Sequence, residues 1–286
     1  NTGLGTNALK LSTTGTQNTA VGHNAMGSEQ TGSGNTAVGE GAMYTANSSS
    51  NSQNTCFGQS AMGSGALAGT SNTGIGHGAL AVLTSATGNS GLGRYSGVAI
   101  TTGDYNTCAG YLAGDAITTG SNNVCVGHDS GSDAMESITT DSNNVIIGNN
   151  SSDHSEVKID WTVGSDARDK TDIETLPDNA GLNFVNQMRP VTYVWDNRDQ
   201  YHKYTDEKYG ERDHSKKATA KQVGFIAQEI KEIEKSIGWE DDHIVNTSNE
   251  QSYKLMYSQV TPILVKAIQE LSAEVEDLKS QINENN

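Results

Sequence analysis

The serine and the lysine at positions 165 and 170 are the residues of this chain whose types and spacing best suit chemistry. A serine hydroxyl becomes a nucleophile only when a base removes its proton, and a lysine amine is such a base only when it is neutral. Arg168 lies between them, and a nearby cation favours the neutral form of a lysine. On a regular helix, positions five apart lie about 140° apart around the axis. Ser165 and Lys170 can therefore meet only in a turn or loop, or when the lysine comes from a neighbouring chain.

The same segment has an ordinary structural interpretation. A Ser-Asp pair before a run of charged residues is a common helix start, in which either side chain caps the first turn. A serine and a lysine five residues apart also occur in many proteins that lack any such activity. The segment alone therefore leaves both interpretations open.

The composition changes sharply at Gly164, directly before this serine. Residues 1–164 hold 28 of the 32 glycines, none of the 3 prolines, and only 3 of the 18 lysines and arginines. The whole chain has a net charge of −16, and each part has a charge near −8. Because a break this sharp indicates a domain boundary, we expect one domain over 1–164 and another over 165–286.

Composition also excludes several classes of function. The acidic balance argues against nucleic acid as a partner, because phosphate binding needs a basic face. The chain has no run of 18 apolar residues, so we expect no membrane insertion. Three cysteines do not make a disulfide framework, and neither they nor the 7 histidines show metal-ligand spacing. We expect no metal and no cofactor, and we expect a piece of a longer chain, since the sequence opens within a repeat.

The first part is a repeat array built on the motif Asn-Thr-x-apolar-Gly. Copies follow one another at steps of 17 to 21 residues and lie at Asn1–Gly5, Asn18–Gly22, Asn35–Gly39, Asn54–Gly58, Asn72–Gly76, Asn89–Gly93, Asn106–Gly110, Asn123–Gly127 and Asn144–Gly148. A fixed period with variable loops predicts stacked turns of short strands. Glycine and asparagine supply left-handed turns, and stacked asparagines can bond as a ladder. Cys56, Cys108 and Cys125 share the third motif position, where we expect small buried apolar residues.

One such array has few aromatic and long aliphatic residues with which to offset the entropy of ordering its backbone. We therefore expect several chains to share the core, in a trimeric β-solenoid or β-prism-like arrangement. A β-solenoid formed by a single chain and a flexible linker are the alternatives.

Four separated motifs of the second part carry a resemblance to a known family. They lie at 161–176, Arg189–Trp195, Val223–Ile230 and Tyr257–Leu271. Together they resemble the intramolecular chaperone domain at the C-terminus of phage endosialidases and tail fibres, the S74 peptidase family, over roughly residues 161–278. The repeat array resembles those of trimeric phage tail fibres and, more distantly, of trimeric bacterial adhesin heads.

This resemblance implies that the chain cleaves itself. The cut falls between Gly164 and Ser165, with Ser165 as the nucleophile and Lys170 as its partner. Attack on the Gly164 carbonyl would give an ester, which water hydrolyses. Asp166 matches the family motif and Arg168 lies close by, so both are possible supporting residues. The family thus implies an autoproteolytic serine endopeptidase that makes one cut.

Heptad spacing at the end of the chain predicts a coiled coil over about 257–284. Ile268, Val275 and Ile282 fall at a, and Leu264, Leu271 and Leu278 fall at d. This pattern favours two strands in parallel coiled coils, whereas the family implies three. We follow the family and expect a homotrimer.

The expected fold is thus an all-β repeat array followed by an α+β chaperone domain that ends in a coiled-coil helix. The expected function is host attachment by a phage tail fibre or tailspike, assembled in the host cytoplasm and carried on the virion. The repeat region or parts upstream would bind a host cell-surface receptor, either a glycan or a surface protein. The alternative is a structural trimerisation module of a fibre or adhesin that does not cleave.

Overall fold

The chain folds into two compact units, Asn1–Ser155 and Glu156–Asn286. The structure, a computed structural model, describes residues 1–28, 31–45, 51–133, 136–149, 151–152, 156, 158, 161–198, 201, 207–208, 210–248 and 252–285. The domain boundary that we expect at Gly164 stays a prediction.

The first unit is a β-solenoid, which confirms the predicted repeat fold. Each motif copy supplies one strand: β1 (Thr2–Leu4), β2 (Thr19–Val21), β3 (Thr36–Val38), β4 (Thr55–Phe57), β5 (Thr73–Ile75), β6 (Ser90–Leu92), β7 (Thr107–Ala109), β8 (Val124–Val126) and β11 (Val145–Ile147). These strands form one nine-stranded parallel sheet in chain order, with equivalent motif residues paired, as in Thr19↔Thr36. The hairpin of β9 (Ser132–Asp133) and β10 (Glu136–Ser137) lies between β8 and β11.

The first motif residue builds the predicted asparagine ladder inside the solenoid. Asn89 is fully buried, and its side-chain oxygen accepts hydrogen bonds from the backbone amide of Asn106 at 2.8 Å and from its side-chain amide at 3.0 Å. The Asn89 side-chain amide donates to the Gly103 carbonyl at 2.9 Å. The equivalent asparagines from Asn18 to Asn106 repeat the backbone contact, in which each side-chain oxygen accepts the backbone amide of the next asparagine. The ladder satisfies backbone groups that would otherwise be buried without partners.

The last motif residue must be glycine because successive backbones touch there. Gly22 has φ +132°, and a Cβ on it would lie 2.5 Å from the Gly39 carbonyl oxygen. Both the left-handed backbone and the close approach exclude a side chain. This position confirms the prediction that glycine supplies the left-handed turns.

Two kinds of turn fill the solenoid core. In one kind, a buried methionine adopts a left-handed backbone, as Met26, Met43 and Met62 do. In the other, glycine takes that left-handed place and a buried isoleucine fills the core instead. The pairs are Gly97 with Ile100, Gly114 with Ile117, and Gly131 with Ile138. A single chain therefore buries its own continuous core, in contrast to the expected core shared between chains. The homotrimer itself stays a prediction.

The three cysteines are buried members of this core, as predicted. Burial raises the pKa of Cys56 to about 12, so this thiol is neutral. Cys108 and Cys125 are paired residues of β7 and β8. A hydrogen bond between the two thiols, together with burial, raises the pKa of Cys108.

The second unit mixes short helices with small antiparallel strand pairs and ends in a long helix, as predicted. Its helices are α1 (Leu182–Gln187), α2 (Ala227–Ser236) and α3 (Tyr257–Glu284), and its strands are β12 (Val191–Tyr193), β13 (Gln222–Gly224), β14 (Val245–Asn246) and β15 (Lys254–Leu255). Strand β12 pairs with β13, and β14 pairs with β15. Phe184, Ile230, Ile244 and Ile263 are among the residues that form the core where α1, α2 and α3 meet.

A buried charge cluster fixes α2 against the following loop, and the sequence analysis did not anticipate it. Glu234 is fully buried, and one of its oxygens accepts the Ile244 amide at 2.5 Å. The Lys231 amine lies 3.5 Å from the other oxygen and 3.1 Å from Asp242. Burial alone would lower the pKa of Lys231, but the hydrogen bond to Asp242 and the charge of Glu234 outweigh it and raise that pKa. The lysine is therefore a cation that compensates a buried carboxylate.

The last helix, α3, is partly buried at its start and exposed over the rest of its length. Val260, Ile263 and Ala267 are buried at its start. The predicted a and d residues form an exposed apolar stripe that begins within this part and continues to the end of the helix. Its members are Leu264, Ile268, Leu271, Val275, Leu278 and Ile282. Of the helices that the structure describes, none has the length and apolar character needed to span a membrane.

Replacing Asn89 by alanine tests the ladder. The change leaves buried donors and acceptors in two turns without partners, so we expect the free energy of unfolding to fall by about 2–4 kcal/mol. Circular dichroism during denaturant unfolding measures it. The matched control is Gln59→Ala, which removes an exposed carboxamide that donates to the exposed Glu40; its effect should stay within about 0.5 kcal/mol. Equal losses for the two variants would contradict the ladder's role.

Replacing Lys231 by methionine tests the charge cluster. Glu234 would then lie buried without a cation, so we expect a loss of about 3–5 kcal/mol in the stability of the second unit. Tryptophan fluorescence in denaturant measures it. Lys235→Met removes an exposed i,i+3 partner of Glu232 from the same helix and should cost less than about 1 kcal/mol. The cluster is unimportant if Lys231→Met is as mild as this control.

Candidate active site

The segment that carries Ser165 and Lys170 forms a single tight turn. Residues Ala167–Asp169 make a 3₁₀ turn, and the residues on either side of it are extended. Asp166 caps the turn, since its carboxylate accepts the Arg168 backbone amide at 2.9 Å. Lys170 closes it by donating its backbone amide to the Ala167 carbonyl at 3.3 Å. The sequence had left a capped helix start and a turn as alternatives, and the segment is a capped turn.

This turn brings the candidate nucleophile and base together. The Lys170 amine donates a hydrogen bond to the Ser165 hydroxyl oxygen, with Nζ and Oγ 2.8 Å apart. A contact between two groups of one chain is thus possible, because a short 3₁₀ turn replaces the regular helix that would keep them apart. A hydrogen bond of this length lies in the range that proton transfer requires.

Every residue of this site is exposed to solvent in the single chain. Gly164, Ser165, Asp166, Arg168 and Lys170 all lie at the surface. A Cβ on Gly164 would meet no atom of the described residues within 4 Å beyond its chain neighbours, so that side of the backbone is open. A lysine acts as a general base only when its amine is neutral, and burial favours that form. In the part of the chain that the structure describes, Lys170 has no such burial.

The guanidinium of Arg168 pairs with the carboxylate of Asp166. Its Nε lies 3.0 and 3.1 Å from the two carboxylate oxygens of Asp166. The side-chain hydrogen bond from Arg168 and the backbone hydrogen bond at the cap lower the pKa of Asp166. The sequence suggests Arg168 as a cation that could act on Lys170, and that role stays a prediction. The pairing itself links the residue that caps the turn to a residue within the turn.

One comparison with known proteins finds a family that matches part of the second unit. Residues 165–238 match the family described as the chaperone of endosialidase, an S74 peptidase family. The match begins at Ser165 and covers about a quarter of the chain, including the second and third sequence motifs. No curated protein and no solved structure matches the chain. The predicted resemblance is thus confirmed over these residues, and the match together with the β-solenoid fits a phage fibre with a C-terminal chaperone.

The charge pairing in the turn predicts a measurable titration. Arg168→Gln removes the guanidinium that stabilises the ionised carboxylate, so the pKa of Asp166 should rise toward the ordinary value of about 3.9. A ¹³C NMR titration of the Asp166 side chain, in a Ser165→Ala chain that keeps the segment intact, measures the change. Arg189→Gln is the matched control, because this guanidinium pairs with Glu229 instead. An Asp166 pKa that is the same in all three chains would contradict the pairing.

Proposed function

We propose that the chain is a segment of a phage tail fibre or tailspike for host attachment, whose C-terminal domain aligns three chains and then cuts itself off. The repeat domain over 1–164 is the fibre shaft or head, and 165–286 is the chaperone. The observation that carries this proposal is the 2.8 Å contact between Lys170 and Ser165, the residue at which the family match begins. The change of composition falls at the same bond.

The cleavage proceeds through an acyl shift. Lys170 takes the hydroxyl proton of Ser165 while Oγ attacks the Gly164 carbonyl carbon. The bond from that carbon to the Ser165 nitrogen breaks, and the nitrogen leaves as an amine after it receives a proton. Water then hydrolyses the ester, so that Gly164 ends in a carboxylate and Ser165 carries a free amino group and its hydroxyl again. No metal or cofactor takes part in these steps.

Because the site is exposed in the single chain, we expect cleavage to occur only after the chains assemble. The lysine and serine lie in water in the single chain, and a neutral lysine needs burial. A neighbouring chain that packs over the turn would supply that burial. Cleavage therefore follows assembly, and loss of the chaperone makes the assembly hard to reverse, which is kinetic trapping rather than added equilibrium stability.

The α3 helix and the repeats explain why three chains need alignment. The exposed stripe of α3 has the a and d spacing of a coiled coil, and Ile268 is 63% exposed. Nine nearly equivalent turns invite pairing between chains that is out of register by one turn. An association element at one end selects a single register, which favours the homotrimer.

The partners and location follow from this proposal. The released fibre would be part of the virion after assembly in the host cytoplasm. Its repeat region or upstream parts would bind a glycan or protein on the host surface. Nucleic acid and membranes are not among the proposed partners, since the chain is acidic and carries no long apolar run.

A second candidate function is a trimerisation module that does not cleave. The exposure of Ser165 and Lys170 favours it, because catalysis by the lysine calls for a buried site. This candidate predicts trimers of the intact chain.

Denaturing electrophoresis of the full chain separates the two candidates. The unaltered chain should give fragments of 164 and 122 residues, and the shorter one should begin with Ser165 in N-terminal sequencing. Ser165→Ala lacks the nucleophile and Lys170→Arg lacks a base that can be neutral, so each should give one uncut band.

The matched control is Arg168→Lys, which keeps a cation beside Asp166 and should still be cut. An unaltered chain that forms trimers but stays in one piece would reject the protease and favour the second candidate. A cut that persists in Ser165→Ala would reject the assignment of the nucleophile.

A further inference from the structure

The outer face of the solenoid sheet carries no charge. The second and fourth motif residues point away from the buried third residue, so they form this face. We call these 18 residues the outer sheet face: Thr2, Leu4, Thr19, Val21, Thr36, Val38, Thr55, Phe57, Thr73, Ile75, Ser90, Leu92, Thr107, Ala109, Val124, Val126, Val145 and Ile147. All are hydroxyl or apolar residues, in a chain whose net charge is −16.

Most apolar members of the outer sheet face are exposed in the single chain, and Val21, Val38, Ala109 and Val124 are partly exposed. Leu4 is 68%, Phe57 is 58% and Leu92 is 56% exposed. Side chains at the fourth position stack in one row along the sheet, over about 38 Å at the usual strand spacing. A continuous exposed apolar strip on an otherwise polar protein marks an interaction surface.

We propose that the outer sheet face packs against the same face of other copies of this chain. A partner must match side-chain rows that repeat at about 4.8 Å along the whole strip, and another copy of the ladder has that repeat. Association between chains of like charge is opposed by repulsion, and a face without charges minimises it. The first position after each motif, directly beyond the turn glycine, carries polar and charged residues instead, including Glu40 and Arg94. The uncharged strip therefore ends at the turn glycine, and the polar and charged residues begin directly after it.

The exposed stripe of α3 is an independent sign of self-association. Its heptad spacing fits a second helix of the same kind, and it lies in the other unit of the chain. The chain thus exposes two apolar surfaces, the outer sheet face and the stripe of α3, and each has the periodicity of its own element. Other copies of the same chain would bury both. This inference rests on the proposed homotrimer and names the surface that its solenoids share.

The size of the outer sheet face explains why another element must bring the chains together. About 38 Å by 10 Å gives roughly 400 Å² per chain, about half of what one partner contributes to a standard interface. A strip of that size holds chains that are already at high local concentration and does not gather free ones. The C-terminal unit supplies that concentration.

Maleimide labelling of introduced cysteines tests this surface in the full-length Ser165→Ala chain. Leu92→Cys lies on the outer sheet face, and Arg94→Cys lies two residues on in the same turn, and both positions are exposed in the single chain. In trimers identified by light scattering, we expect Leu92→Cys to react at least tenfold more slowly than Arg94→Cys. Ile75→Cys and Gln59→Cys form a second pair with the same expectation. The chain without substitutions gives the background, since its own cysteines are buried.

The outcomes separate this inference from the proposed function. Equal labelling rates within a trimer would overturn the outer sheet face as the interface and leave the proposed function standing. A monomer in light scattering would overturn both. Protection that develops only when a polysaccharide or another protein is added would assign the face to that partner and reject packing between copies.

Discussion

Each buried asparagine carboxamide joins two turns of the solenoid, and the rest of the first unit depends on this bond. The side-chain oxygen accepts the backbone amide of the next asparagine along the ladder, and the side-chain amide donates to a loop carbonyl near the end of its own turn. Because a turn offers only a three-residue strand, the sheet alone satisfies few of its backbone groups. The ladder sets the stacking register, and that register places the turn glycines in contact and the core residues above one another. Every turn thus contacts only its neighbours.

The second unit is held together by packing between helices and by a buried charge cluster instead of a ladder of repeats. Its strands are two or three residues long, and its core lies between helices, with Phe184 and Ile263 among the buried residues. The charged groups Lys231 and Glu234 are buried together in α2, where a missing partner is costly. Such a cluster favours one arrangement of α2 and the following loop. The same unit leaves the apolar stripe of α3 exposed to solvent.

The repeat period determined how much of the fold could be predicted from the sequence. Motif spacing predicted every strand of the nine-stranded sheet, the buried cysteines and the stacked asparagines, because these follow from one local pattern repeated nine times. Composition did not predict that one chain closes its own core. That result depends on methionines in left-handed backbone, such as Met43, a conformation that bulky residues seldom adopt. At the site, spacing allowed Ser165 to meet Lys170 in a turn or loop, or through a lysine of a neighbouring chain, and the structure has a turn. The pairing of Arg168 with Asp166 is a contact between near neighbours that spacing does not reveal.

The two kinds of turn have a consequence for how such a fibre changes its length. Turns with a core methionine follow one another in the first half, and turns with glycine and isoleucine follow in the second, with Leu80 next to Gly97 at the junction. Duplication or loss of a turn inside one half recreates contacts that already exist and alters the length by about 4.8 Å. Recombination across the halves would set a bulky side chain against a turn that has no space for it, or leave a void. Genetic variation in length should therefore occur within each half, with the junction kept once per chain.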